Sequence, residues 1–441
     1  MRRIGRWIAG GLAATLLGGC GSAAETASPV TAGPAPTAEE PGALAVAAQR
    51  LPAAGGAPVS ATVAGLDAFA ARFAEAAQAP GQNLVFSPLS IAEAFAMLDV
   101  GAAGNTAKQI ETTLGLPTGF ATAFNALTSQ LVTGDIAPPT STPTPTPTPT
   151  GDTEPQRPVL TVTNGLFAKS GYAYQPAFLR TLVEQFGSHV QTLDFSNPQA
   201  AAAAINQWAA QHTAGRITKV FDQLDPATRL VLANAVYLKA SWTKAFDDAG
   251  SQNFQVAGNP VQLPMISKSS NFGYATGSGW QAVTLPYFGG SLAMRVIRPT
   301  GTNNPGDLLK PAVLAAAGVT KPTAVNVTMP QWQFDSAPDL KALMEKLGVT
   351  DCFDPARANL SGVSTEGLYV DQAIHRATIS VDRYGTEAAA VTALSVVPLS
   401  GVVSPTPPVN FTVDRPFLFE IVDTKTSAPL FLGTVADPRA H

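Results

Sequence analysis

The stretch 230–238 constrains the fold more than any other part of the chain. Its sequence is Leu-Val-Leu-Ala-Asn-Ala-Val-Tyr-Leu, so an extended strand here would be apolar on both of its faces. A strand of this kind has to be covered on both sides, as it is in the middle of a buried sheet. The chain is therefore predicted to build a sheet that lies between two layers of other structure.

Helical periodicity is concentrated in the first half of the chain, and strand patterns in the second half. The predicted helices are 66–79, 89–98, 106–114, 120–131, 176–186, 198–213 and 340–347. The helix 89–98 is apolar nearly all round, which predicts that it is buried. The predicted strands are 83–86, 159–167, 230–238, 281–286, 291–298, 325–329, 378–381, 409–413, 417–422 and 430–435. This order predicts an α+β fold, in which helices pack around a large, mostly antiparallel central sheet.

The N-terminus has the layout of a secretory signal. Arginines precede an apolar run at 8–17, and small residues then lead to Cys20. The pattern resembles a bacterial lipobox, which predicts that residues 1–20 are a lipoprotein signal peptide and that Cys20 is lipidated. We expect an extracytoplasmic protein that is anchored to the cell membrane or surface; the alternative is an ordinary signal peptide and a secreted protein. The run is shorter than the roughly 20 residues that a membrane span needs.

Two low-complexity segments lie outside the predicted core. Residues 21–60 are rich in Ala, Gly, Pro, Thr and Ser, a composition that cannot bury a core and predicts a flexible stalk. Residues 138–158 contain Thr-Pro repeats, which favour extended polyproline II and predict a protruding insertion. The remaining chain, 61–438, is predicted to form one large domain, because no second linker divides it.

Composition and motifs exclude several classes of function. The net charge is −4 and no basic patch is interleaved with aromatic residues, so nucleic-acid binding has little support. The sequence has no nucleophile elbow, zinc-protease motif, Walker loop or paired Cys-x-x-Cys. Among the four histidines only His375 lies in a mostly apolar run, which is typical of a core hydrogen-bonding residue. Cys352 is expected to be a small buried hydrophobe. We therefore expect no enzyme, metal site or cofactor.

The stretch 388–413 contains no charged side chain, in a protein with 27 basic and 31 acidic residues. Its first residues are small enough to enter a sheet. The following residues end in Pro398-Leu399-Ser400, and the residue before a proline favours the extended conformation that protease substrates adopt. This combination indicates a segment that is first cut and then changes shape.

Several motifs in order resemble the serpin family, and together they span essentially all of 61–438. They are Asn83-Leu-Val-Phe-Ser-Pro-Leu-Ser-Ile91, Asn234-Ala-Val-Tyr-Leu-Lys-Ala-Ser-Trp242, Leu285-Pro-Tyr287, 377–385 with Thr386-Glu-Ala-Ala-Ala390, Asp414-Arg-Pro-Phe-Leu-Phe419 and Leu430-Phe-Leu-Gly433. The resemblance implies a single large domain with an exposed reactive-centre loop at 383–408. It also implies a monomer without a cofactor, whose partner is a serine protease bound as a covalent acyl complex.

In serpins the protease cuts the loop as a substrate, and the loop then inserts into the main sheet as a new strand. The resemblance implies that the loop hinge comprises Gly385, Thr386, Glu387, Ala388, Ala389 and Ala390. With a two-residue period, one face of the inserting segment 386–394 carries Thr386, Ala388, Ala390, Thr392 and Leu394. The single charge, Glu387, then points outward, so we expect the segment to be able to insert.

Family spacing implies that the reactive bond is Leu399–Ser400. A leucine before the bond suits the hydrophobic pocket of chymotrypsin- or elastase-like proteases. The segment 401–408 is longer than in most members, so a bond one or two residues away stays open. The identity and origin of the target protease stay open as well.

The resemblance further implies a buried polar cluster that controls opening of the sheet. Its members are Ser87, Ser90, Asn234 and His375, and Trp242 would mark the upper end of the sheet. The alternative for Trp242 is an ordinary core aromatic residue. Losing one partner of such a cluster leaves the others unsatisfied, at roughly 1–3 kcal/mol each.

Two residues before the loop depart from the family pattern. Arg383 and Tyr384 stand where many members have acidic residues. This favours an alternative function, in which a non-inhibitory serpin serves as a surface binding or structural protein. The main hypothesis is a surface-tethered suicide inhibitor of extracellular serine proteases. Heparin-like activation is not expected, since no basic cluster accompanies the insertion at 138–158.

Overall fold

A computed structural model describes residues 42–133, 155–386 and 407–440. The α-helices in these residues are α1 (Val59–Ala77), α2 (Pro88–Asp99), α3 (Gly104–Leu114), α4 (Phe120–Thr133), α5 (Pro176–Thr181), α6 (Pro198–His212), α7 (Pro311–Gly318) and α8 (Leu340–Lys346). The strands are β1 (Leu84–Phe86), β2 (Val159–Lys169), β3 (Val190–Leu193), β4 (Leu230–Ser241), β5 (Asp247–Val256), β6 (Asn259–Gly277), β7 (Trp280–Pro286), β8 (Leu292–Pro299), β9 (Lys321–Pro330), β10 (Trp332–Ser336), β11 (Gln372–Val381), β12 (Gly385–Thr386), β13 (Val409–Thr412), β14 (Phe417–Asp423) and β15 (Pro429–Val435).

The strands form two sheets. The central sheet has six strands in the order β10-β11-β12-β4-β2-β3, and β11 also pairs directly with β4. The second sheet has nine strands, in the order β1-β15-β14-β8-β7-β6-β9-β13 with β5 on β6. The predicted α+β fold is confirmed. The central sheet is mixed, because the β11–β4 and β2–β3 pairs are parallel and the other pairs are antiparallel.

Strand β4 is covered on both faces, as its sequence predicts. Leu232 and Val236 belong to the main hydrophobic core beneath the sheet. Ala233 and Ala235 belong to a smaller outer cluster, in which Trp208 of α6 packs over the sheet. Helix α6 therefore lies over the outer face of β4 and β2.

Helix α2 lies beneath the central sheet and packs against β2, β4 and β15. It begins where the Ser87 side chain accepts a hydrogen bond from the Ser90 N–H, with Pro88 in the first turn, where a missing donor does no harm. Every residue of α2 is buried. The prediction of a helix buried all round is therefore confirmed, and the helix brings polar groups at its start directly under the sheet.

The segment before α1 is part of the folded domain. The predicted flexible stalk, 21–60, is wrong for its described part, because residues 42–58 bond to the domain. The Leu44 N–H donates to Val190 O at 2.9 Å, the Thr192 N–H to Gly42 O at 2.9 Å, and the Leu51 N–H to Glu184 O at 2.9 Å. These bonds use backbone groups, which a composition-based prediction does not weigh. The domain thus begins before residue 61, while residues 21–41 and 134–154 lie outside the described residues.

Candidate functional site

The two residues of β12 lie between the upper ends of β11 and β4. Thr386 pairs with Val381 on one side and with Ala240 on the other, and Gly385 pairs with Ser241. A Cβ atom added to Gly385 would lie 2.0 Å from the carbonyl oxygen of Ala240, so only glycine fits at this close approach. The chain that leaves β11 therefore turns back at once and fills the top of the gap between the two strands.

Below β12, strands β11 and β4 pair directly with each other. Their parallel ladder extends from Gln372 and Val231 to Ala377 and Val236. The ladder ends there, and the Thr386–Ala240 pair of β12 occupies the sheet above it. The two strands are thus separated at the top and joined at the bottom.

A tight turn at 382–385 holds β12 in place. One carboxylate oxygen of Asp382 accepts hydrogen bonds from the N–H groups of Tyr384 at 2.7 Å and Gly385 at 3.0 Å. Burial raises the pKa of Asp382, and the two backbone donors act in the opposite direction. The guanidinium carbon of Arg383 lies 5.0 Å from the centre of the Tyr384 ring. The residues that depart from the family pattern therefore stack on each other in the turn.

Two aromatic residues form the wall of the hinge. The Tyr287 and Thr386 hydroxyl oxygens are 2.6 Å apart, and both residues are buried. The rings of Tyr287 and Trp242 stack with centroids 4.6 Å apart and an interplanar angle of 6°. The indole N–H of Trp242 donates to the Asp382 carbonyl at 3.0 Å. Burial raises the pKa of Tyr287, so its hydroxyl stays protonated and able to donate.

The predicted polar residues Ser87, Ser90, Asn234 and His375 form one connected, buried cluster beneath the sheet. The Ser87 N–H donates to His375 Nε2 at 3.1 Å. Because Nε2 is then an acceptor, His375 Nδ1 carries the proton and donates it to the Asn234 side-chain oxygen. The Asn234 amide in turn donates to the Ser90 hydroxyl.

Burial lowers the pKa of His375 to about 3, which keeps the imidazole neutral at physiological pH. A neutral ring can accept at one nitrogen and donate at the other, as the cluster requires. Asn234 and His375 lie directly opposite each other in the β4–β11 ladder. The hydrogen bond between them therefore joins the two strands that a new strand would have to separate.

The cluster continues into residues that the sequence analysis did not single out. The Asn234 amide also donates to the side-chain oxygen of Asn164, whose own amide donates to Glu93 Oε2 at 2.9 Å. Burial raises the pKa of Glu93 to about 8, against the opposing influence of Arg50 and Asn164. The sequence does contain one sign of this role, because Glu93 is the single carboxylate in the predicted helix 89–98, which is otherwise apolar nearly all round.

Arg50 reaches this region from the segment before α1. It donates to Asn125 Oδ1 at 2.9 Å and to the Thr128 hydroxyl, both on α4. A cavity of about 120 Å³ lies between Arg50, Glu93 and Asn164. No sequence pattern connects residue 50 with the cluster, because that part of the chain was predicted to be a stalk.

Several predicted site residues lie outside the described residues. These are Cys20, Glu387, Ala388, Ala389, Ala390, Leu399 and Ser400. Cys352 is buried, and burial raises the pKa of its thiol, so it is the inert core residue that was expected. Within residues 42–133, 155–386 and 407–440, no cluster of His, Cys, Asp and Glu could hold a metal ion. In the same part of the chain, no helix has the length and apolarity to cross a membrane.

In the central sheet, the two-residue strand β12 lies between the upper ends of the parallel strands β11 and β4. A family model described as "Serpin (serine protease inhibitor)" matches residues 64–438. The chain belongs to the serpin family. Members of this family are generally inhibitors of serine proteases and not catalytic enzymes.

Relatives with similar sequences come from distant organisms. A serpin-like protein of Thermococcus kodakarensis is 30% identical over 371 residues, which cover 81% of each chain. Glia-derived nexin of Rattus norvegicus is 30% identical over 377 residues, covering 81% of this chain and 88% of the nexin. Neuroserpin of Gallus gallus is 30% identical over 381 residues, covering 81% of this chain and 87% of neuroserpin.

Solved structures agree with the fold. The thermophilic serpin tengpin in its native state has a TM-score of 0.73 at 22% identity, covering 85% of this chain and 94% of tengpin. Native protease nexin-1, solved with heparin, has a TM-score of 0.68 at 26% identity, covering 85% of this chain and all of the nexin chain. The likeness to tengpin supports the fold alone, because the sequence identity is low.

Proposed function

We propose that this serpin is a suicide inhibitor of extracellular serine proteases that acts by cleavage and insertion of its reactive-centre loop. The observation that carries the proposal is the position of Thr386, which is paired with Val381 and Ala240 at the top of the gap between β11 and β4. The first inserting residue thus already occupies a strand position. Insertion needs only to continue a strand that has begun.

The register of β12 defines where each later residue would go. Thr386 lies opposite Ala240, and antiparallel pairing advances one residue on each strand. Continuing downward, Leu394 would lie opposite Leu232 on β4. On the other side, the Thr386–Val381 pair would continue to Leu394 opposite Ala373. The predicted inserting segment, 386–394, therefore ends one pair short of Gln372 and Val231, where the existing parallel ladder ends.

The same register determines which side chains would enter the core. Residues directly opposite one another point to the same face of a sheet. Thr392 would lie between Asn234 and His375, inside the polar cluster, where its hydroxyl can replace part of the hydrogen bonding that the separated strands lose. Val391 and Ala393 would face the outer side, where α6 packs on Ala233 and Ala235. Both are small enough to lie beneath a helix.

Insertion would replace weaker pairing with stronger pairing. Six parallel residue pairs join β11 and β4 in the intact state. A strand inserted between them would pair antiparallel with both neighbours, and antiparallel pairing is slightly more stable per residue. The intact state would then be held by a kinetic barrier, which supports the acyl-enzyme trap that the proposal requires.

Within this proposal the protease cuts at Leu399–Ser400 and has a chymotrypsin- or elastase-like preference. From Thr386 to Leu399 the extended chain covers about 43 Å, at roughly 3.3 Å per residue. That length can carry an acylated protease along most of the central sheet. We further propose that Cys20 carries a lipid anchor, so that a monomeric inhibitor is held at the outer surface of the cell.

The experiment is incubation with chymotrypsin and with elastase, followed by denaturing electrophoresis. An inhibitor gives a covalent adduct that resists denaturant, and mass spectrometry of the released C-terminal peptide locates the cut bond. Cleaved serpin without any adduct would contradict the proposed function. Catalytically inactive protease, with its active-site serine replaced by alanine, is the control and should give no adduct.

The stacked pair Arg383–Tyr384 favours a second candidate, a non-inhibitory serpin that acts in binding at the cell surface. If β11 and β4 stay paired below β12, cleavage would leave the loop outside the sheet. The two functions differ in thermal unfolding of intact and loop-cleaved protein. A large rise in the melting temperature after cleavage supports insertion, whereas unchanged melting supports the binding function.

A further inference from the structure

A cavity of about 140 Å³ opens beside the upper end of the central sheet. Its inner wall is apolar and is made by Trp242, Phe246, Phe272 and Leu285, all of which are buried. Engineered apolar cavities of about 150 Å³ take up benzene. The space is therefore large enough for one aromatic ring.

The entrance of the cavity is positively charged. Lys268 is half-buried, and its ammonium group donates one hydrogen bond to the Ala245 carbonyl at 2.8 Å. An ammonium group has three donors, so two remain for another acceptor. Lys244 is exposed at the same entrance. None of the described residues that line the cavity is acidic, and Asp247 and Asp248 of β5 are exposed outside the lining.

We propose that this cavity binds a small carboxylate that carries a single aromatic ring. The ring packs against Phe246 and Leu285, and the carboxylate accepts hydrogen bonds from Lys268. An apolar wall with one convergent cation is the usual composition of a small-molecule site. A neutral ring would leave the two free donors of Lys268 without a protein or ligand partner.

The wall of this cavity also holds the hinge. Trp242 stacks on Tyr287, and Tyr287 contacts Thr386. The indole N–H of Trp242 donates to the Asp382 carbonyl. The Phe246 N–H donates to the Arg383 carbonyl at 2.7 Å. A ligand that fills the cavity therefore contacts the residues that fix the turn at 382–385. Binding should raise the melting temperature of the intact protein, because a ligand stabilises the state to which it binds.

The test uses phenylacetate as the probe and titration calorimetry on the full chain. Phenylacetamide is the neutral control of the same shape. A charge-assisted hydrogen bond contributes more than a neutral one, so we expect the carboxylate to bind about tenfold more tightly than the amide. Lys268→Met should weaken phenylacetate binding about tenfold. Lys425→Met, which removes an exposed lysine from the β14–β15 turn, should leave the affinity unchanged.

A second variant blocks the cavity without touching the core. Ser270 lies exposed on β6 at the edge of the cavity, so Ser270→Trp can fold normally and fill the entrance. It should abolish binding while the melting temperature of the free protein stays at the parent value.

The proposal is overturned by equal binding of acid and amide, or by the absence of binding heat up to about 10 mM probe. Parental affinity in a folded Lys268→Met or Ser270→Trp protein overturns it too. These outcomes are independent of protease inhibition, because no protease is present.

Discussion

The hydroxyl of Tyr287 lies 2.6 Å from the hydroxyl of Thr386, and neither group reaches solvent. Tyr287 follows β7 of the second sheet, so this contact joins that sheet to the first residue of the segment that is proposed to insert. Thr386 is thereby held in a strand position by one side-chain bond and by backbone pairing on both sides. Its side chain occupies a site that accepts a small polar group and no charge.

Thr386→Arg should convert the inhibitor into a substrate. The guanidinium group would have to enter a buried site, and burying an unpaired charge is strongly unfavourable. We expect the loop to be cut at the parental rate, while almost no covalent adduct accumulates on a denaturing gel. Glu387→Arg is the matched control and should keep inhibition, since the two-residue period would put residue 387 on the outward face of an inserted strand. Equal adduct yields in the two variants would contradict the insertion register.

Tyr287→Phe removes the hydrogen bond between Tyr287 and Thr386 and leaves the aromatic ring in place. The loss of a buried hydrogen bond should lower the free energy of unfolding of the intact protein by about 1 kcal/mol. Urea titration measures this change. Tyr369→Phe, at a half-buried position outside the hinge, serves as the control and should change stability by less. A Tyr287→Phe protein as stable as the parent would mean that the contact does not hold the hinge.

Asn234→Ala should destabilise the intact protein more than Tyr287→Phe does. It removes partners from Ser90, Asn164 and His375 at once. Buried groups left unsatisfied each lose about 1–3 kcal/mol, so a total loss of at least 3 kcal/mol is expected. Asn326→Ala is the comparison, because Asn326 also bonds to two side chains but at the solvent-exposed surface. Denaturant unfolding at pH 7 distinguishes the two.

The buried part of the fold could largely be predicted from sequence. Strand β4 and helix α2 follow directly from apolar residues on all faces, since such segments have few places to go other than the core. The strands that were missed are β3, β5, β6, β10 and the two-residue β12. Much of β5 and β6 is exposed and polar, so their residues carry no alternating pattern. Helix α7 was missed as well, because it is a short run of Ala, Val and Leu without polar residues to give a period.

The site was predictable only in part, for a physical reason. Ser87, Ser90, Asn234 and His375 could be named in advance because the resemblance to serpins implies a buried polar cluster at these positions. Strand β11 was nevertheless predicted to begin at residue 378, since His375 and Arg376 interrupt the apolar pattern, whereas the strand begins at Gln372. Contacts between segments far apart in sequence, such as Arg50 with α4, depend on the completed fold and leave no local pattern.

Glu93 connects the cluster to a pH-dependent group. Burial raises its pKa to about 8 from the usual 4.5, so the folded protein holds a proton that the unfolded chain releases near pH 4.5. The stabilisation is fully present below pH 4.5 and is lost as pH rises to about 8. The loss is at most about 1.4 kcal/mol per pH unit in this window. His375 acts in the opposite direction, because its pKa of about 3 makes stability fall as pH drops below 6.5.

Glu93→Gln should therefore become more stable than the parent as pH rises from 5 to 8. Glutamine keeps the acceptor for Asn164 and cannot ionise, so the variant lacks the loss that the carboxyl group causes. Urea titrations of both proteins at each pH give the difference in unfolding free energy, and the contribution of His375 cancels because both proteins contain it. The same cancellation applies to Asp67 and Asp99, whose pKa values burial raises to about 7. Glu75→Gln, at an exposed position of α1, is the control and should show no such trend.

A pH-independent difference for Glu93→Gln would show that Glu93 is already ionised in the folded protein at pH 5. In that case Arg50 outweighs the effect of burial, and the cluster contains a buried ion pair in place of a neutral hydrogen-bonded chain.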